Sequence, residues 1–113
     1  MAQIPPDFGS ESARYEMFVG ALHDLTPGET VAVGITLLNQ SHILTGEKSG
    51  YGHLFIQVND PEWNALVAEE YRVAETNIEA AVADAVSLAT RRFLRLRVDS
   101  ANVQSEELPR AEF

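Results

Sequence analysis

Apolar positions near the start of the chain fall on one stripe. Tyr15, Phe18, Val19 and Leu22 stand at i, i+3, i+4 and i+7, which predicts an amphipathic helix over about 11–24. Glu11 near its start suits the positive end of the helix dipole. A longer run follows Asn59-Asp60-Pro61-Glu62, where Asp60 reads as a cap, Pro61 as the first helical residue and Glu62 as a first-turn acid. From there about 35 residues pass to Leu96 without Gly or Pro. The expectation is one helix over about 60–96, roughly 50 Å long at 1.5 Å per residue. Val67, Tyr71, Ala74, Ile78, Ala81, Ala85 and Leu88 repeat along it in steps of four and three, a heptad seam suited to contact with another helix. Leu66, Val73, Val82, Val86 and Phe93 widen its apolar face.

Residues 25–45 fit two patterns. Thr26-Pro27-Gly28-Glu29 matches a helix capping box and equally a type II turn. Val31, Ile35, Leu38 and His42 share a helical stripe, while Val31, Val33, Ile35 and Leu37 alternate as in a strand. The cap favours a helix over about 27–44. Thr45 to Gly52, with three glycines, reads as a loop, and His53 to Val58 as a short strand, an irregular apolar segment or a helical turn packed on the core. The fold expected is therefore all-α: a small helical bundle built on one long C-terminal helix (about 60–96), with at most one short strand. The alternative is α+β, with strands at 30–38, 53–58 and 93–98. Either way the chain reads as a single domain, 1–113, with an N-terminal arm at 1–9 and a polar C-terminal tail at 100–113.

Composition narrows the function classes. The chain has 113 residues, no cysteine, and 8 basic against 17 acidic residues, for a formal charge of −9. Disulfides, thiolate metal sites and thiol catalysis are excluded. The start Met1-Ala2-Gln3-Ile4-Pro5-Pro6 lacks a basic, apolar leader, and no uninterrupted apolar run reaches membrane-spanning length. The expectation is a cytoplasmic protein with no membrane contact, and a charge of −9 disfavours nucleic acid as a partner. An alanine-rich, lysine-poor, acidic composition is a habit of GC-rich bacteria and their phages.

No residue cluster forms a catalytic motif. His23, His42 and His53 lack metal-ligand spacing, and His42, on an apolar stripe, reads as a hydrogen-bonded core residue. Gly46-Glu47-Lys48-Ser49 lacks the glycine that a phosphate loop needs before its lysine. Gly50-Tyr51-Gly52 reads as a connector. The sharpest local feature is Arg91, Arg92, Arg95 and Arg97, four of the eight basic residues within seven positions. Cations suit a helix C-terminus, and guanidinium groups suit carboxylate or phosphate. Their expected targets are acids such as Glu106 and Glu107, acids of another copy, or a bound anion.

The function expected is therefore non-enzymatic: an oligomeric helical interaction or assembly protein (adaptor, structural subunit or inhibitor). It would meet itself or another protein through the Val67–Leu88 seam, with no metal and no cofactor. The alternative is a small helical bundle binding an anionic ligand or a metal.

Overall fold

A computed structural model of the chain describes residues 2–4 and 9–111, with side chains described for Ile4 and residues 9–98. The order of elements is β1 (Ala2–Gln3), α1 (Glu11–Asp24), β2 (Thr30–Leu37), β3 (Gln40–Lys48), β4 (His53–Asn59), β5 (Ala65–Arg72), a 3₁₀ turn (Val73–Glu75) and α2 (Ile78–Ala111). The fold is α+β, which corrects the all-α helical bundle. An antiparallel meander β2-β3-β4-β5 forms the sheet, and β1 adds a short parallel edge against β2. Both helices lie on one face, α1 over β2 and β3, α2 over β4 and β5, and they touch each other.

α1 occupies its expected limits. Ser10 caps it by accepting from the Ala13 N–H, and Phe18 and Leu22 are fully buried beneath it. Each such side chain contributes about 1.5–3 kcal/mol on leaving water.

The helix expected over 27–44 is instead a hairpin. Glu29 does reach back to Thr26, accepting from its N–H and hydroxyl, as a capping box would. The backbone nevertheless turns: Gly28 takes φ 92° and the Glu29 N–H donates to the Thr26 carbonyl, the geometry a type II turn requires. Val31, Val33, Ile35 and Leu37 then point into the core from β2. Leu38 and Asn39, at φ 49° and 65°, make the two-residue turn into β3. Two positive φ angles mark a type I′ turn, usually signalled by Asn-Gly; with Leu-Asn there the signal is weak. The loop expected from Thr45 also shrinks, since β3 runs to Lys48.

The helix expected over 60–96 is corrected as well. Asp60 behaves as a cap, but of a turn: its Oδ1 accepts from the N–H groups of Glu62 and Asn64. Trp63 then takes φ 64°, which ends any helical path, and residues 65–72 pair with β4. Val67 and Tyr71 are four residues apart, so they share a face of a strand as readily as of a helix. The true helix starts at Ile78, where Asn77 caps by accepting from the Ala80 N–H. Its inner stripe is Ile78, Ala81, Val82, Ala85 and Ala89, small enough for the helix axis to lie close to the sheet. α2 continues through residues 93–98, correcting the strand considered there, and through residues 100–111, read from sequence as tail. Residues 1 and 5–8 of the arm and residues 112–113 lie outside the described residues.

Candidate functional site

Each seam residue has a definite place. Val67 lies buried on β5 and Tyr71 is half-buried there, while Ala74 is exposed in the 3₁₀ turn. Ile78, Ala81 and Ala85 face the sheet from α2, and Leu88 packs beside them. The seam is thus divided between a strand and a helix, and most of it lies inside the chain's own core.

Two of the four arginines reach back to the sheet. Arg92 donates to the Leu66 carbonyl (2.7 Å) and Arg97 to the Leu38 carbonyl (3.4 Å), clamping α2 to two ends of the sheet. The Arg97 guanidinium stands 5.8 Å from the centre of the Phe93 ring. Arg91 and Arg95 are exposed. The ion pairs among the described residues, His53–Glu70 and Arg72–Glu75, involve none of the four. The side chains of Glu106 and Glu107 lie outside the described residues.

Two of the concave surfaces among the described residues gather candidate side chains. The first is a groove of about 710 Å³ between α1 and α2. Tyr15, Val19, Val82 and Val86 form its apolar part, and Glu16 and Glu79 border it. Burial, reinforced by the Glu11 carboxylate, pushes the Tyr15 hydroxyl up to about 12, so it stays neutral at physiological pH.

The second lies on the opposite, helix-free face of the sheet. Alternation places Glu47 and Thr45 of β3 beside Phe55 and Gln57 of β4 there, in register as Glu47–Phe55 and Thr45–Gln57. With Thr30, Asn59 and Trp63 they line a cavity of about 280 Å³. Asn59 is only 3% exposed. Trp63, 53% exposed, reaches this cavity from the β4–β5 turn. A bulky residue at positive φ is strained, and Asp60 holds it there. The Asp60 carbonyl accepts from the Trp63 N–H (2.9 Å), and its carboxylate also accepts from the Asn64 side-chain amide (3.1 Å). These hydrogen bonds, led by that from the Asn64 backbone, keep the Asp60 carboxyl below the ordinary carboxylate range.

Sequence reading did not single out Trp63 or Asn59. The only signal was the alternation of Thr45 and Glu47 with Phe55, Gln57 and Asn59, legible only once both segments are known to be strands. Among the described residues no group of three or more His, Asp or Glu side chains is placed to hold a metal ion, and no helix is long and apolar enough to cross a membrane. Neither family models, curated proteins nor solved structures yield a match to this chain.

Proposed function

We propose that the chain is a non-enzymatic protein-recognition and assembly domain whose partner is a second copy of itself. One observation carries this reading: a single chain presents both halves of a complementary contact. One half is the α1–α2 groove, with its apolar floor between Glu16 and Glu79. The other is α2 over residues 91–98, where Leu94, Leu96 and Val98 are exposed among Arg91 and Arg95. An apolar groove with an acidic border favours a basic amphipathic helix, and this segment is the most basic stretch of the chain. A cytoplasmic location goes with this reading, and a charge of −9 disfavours contact with polyanions and anionic lipid.

Light scattering behind a sizing column tests it. The wild-type chain is expected to exceed its 12.4 kDa monomer mass as concentration rises. Ala83→Arg, an exposed change in the groove, and Leu94→Asp, an exposed change on the helix, should each restore the monomer without loss of circular dichroism. Mixing the two variants should recover dimer, because each supplies the half the other lacks. A wild-type chain that stays monomeric throughout overturns self-assembly.

A second reading has Arg91 and Arg95 holding an anionic ligand. It is favoured by their exposure and by the absence of an ion-pair partner for them among the described residues. Phosphate binding that disappears in an Arg91→Gln, Arg95→Gln variant supports it, and equal binding by that variant removes it.

A further inference from the structure

We infer that the open face of the sheet binds an organic cation, an alkylammonium or guanidinium group of about side-chain size, between Trp63 and Glu47. The site lies on the face opposite the α1–α2 groove and stands apart from the assembly reading. Asn59, 3% exposed, lines the cavity together with Glu47 and Trp63.

The lining decides the ligand's charge. The Glu47 carboxylate only accepts hydrogen bonds, while the Gln57 and Asn59 amides and the Thr45 hydroxyl can accept or donate, so Glu47 sets the preference. Glu47 is the charged residue of the lining. On the neighbouring part of this face His53 is already tied to Glu70 (2.5 Å). An anion would meet a carboxylate and a chain of charge −9, whereas an N–H-bearing cation meets acceptors. Trp63 and Phe55 add aromatic faces, which attract cations through the ring quadrupole.

Size and rigidity agree. About 280 Å³ lies at the small end of ligand sites, room for the end of one side chain or a small amine. The Asp60 turn fixes the Trp63 backbone before any ligand arrives, so no backbone ordering is lost there on binding. The cation belongs either to a free amine or to a lysine or arginine of a partner peptide.

Trp63 is the one tryptophan of the chain, so its fluorescence reports on the site directly. Butylammonium and butylguanidinium should give saturable changes, and neutral pentanol and butanoate should not. Glu47→Gln and Gln57→Ala, both exposed positions, should weaken cation binding at least about tenfold. NMR shifts of the Asn59 and Gln57 side-chain amides give a second readout should the fluorescence be silent. Capped lysine and arginine pentapeptides separate the sources: binding about tenfold tighter than the free amines assigns the site to a partner's side chain, and equal binding assigns it to a small amine. Pentanol binding as well as the cations, Glu47→Gln binding undiminished, or no saturable change by either readout overturns the inference.

Discussion

Gly46 of β3 lies directly beneath Leu22 of α1. A Cβ added to the glycine would overlap Leu22 Cδ2 and stand 3.2 Å from Phe18 Cζ. The two side chains above it are the fully buried residues through which α1 seats on the sheet. The missing side chain of Gly46 therefore sets how closely helix and sheet approach, and with it the depth of the groove between α1 and α2.

Gly46→Ala is expected to destabilise the fold by about 1–3 kcal/mol, as overpacking of a filled core does. Gly34, in the neighbouring strand, is different: a Cβ added there would meet nothing within 4 Å. Gly34→Ala should be neutral or stabilise by up to about 1 kcal/mol. Urea denaturation of the two variants checks the pair, and equal losses would show that the Leu22–Gly46 contact is not what limits the packing.

Ala81→Glu should unfold the chain rather than merely separate copies of it. Ala81 is buried against the sheet, and an uncompensated carboxylate there costs about 3–5 kcal/mol. The expected result is loss of cooperative thermal unfolding and of near-ultraviolet dichroism. A variant that remains folded and becomes monomeric would instead place this part of the seam at an intermolecular surface.

Acid should release the Trp63 turn. The Asp60 carboxyl titrates below its ordinary value because its charged form accepts hydrogen bonds from Asn64 and Glu62. A folded-state value below the unfolded one means that this contribution is fully present above the ordinary aspartate range. It is lost as pH falls through the lowered folded value. Trp63 fluorescence should therefore change at a pH below the ordinary aspartate range, and Asp60→Asn should abolish that transition. A transition that survives in Asp60→Asn would assign it to another acid.

His42 illustrates a cost carried inside the core. It is 2% exposed, its ring meets Phe93 edge-on at 4.6 Å, and its Nδ1 lies 3.0 Å from the Gln40 carbonyl. Its Nε2 is buried without a partner among the described residues. An apolar residue of similar size at this position removes the orphaned nitrogen, and the Gln40 carbonyl it leaves behind belongs to an exposed residue. His42→Leu should thus leave the free energy of unfolding within about 1 kcal/mol of wild type or raise it. A loss above about 2 kcal/mol would show that the Nδ1 contact and the Phe93 stacking outweigh the orphaned nitrogen.

Local chemistry was sufficient for α1, whose cap and stripe at Tyr15, Phe18, Val19 and Leu22 admit one reading, and for the inward face of α2 from Ile78 to Leu88. The alternation of Val31, Val33, Ile35 and Leu37 was also legible, whereas residues 53–58 fitted a strand and a helical turn equally. Choosing between helix and strand over 30–37 and 65–72 was not a local matter. Residues four apart, such as Val31 and Ile35 or Val67 and Tyr71, share a face in both conformations, and the same Thr26–Glu29 and Asp60–Asn64 hydrogen bonds serve a helix cap or a turn. Pairing with β3 and β4 decided it, because only in the sheet do these segments satisfy their backbone groups while turning their apolar side chains toward α1 and α2. The Trp63 site was further still from the sequence. Thr30, Thr45, Glu47, Phe55, Gln57, Asn59 and Trp63 come from three strands and a turn, and they become neighbours only when the meander sets its strands in register.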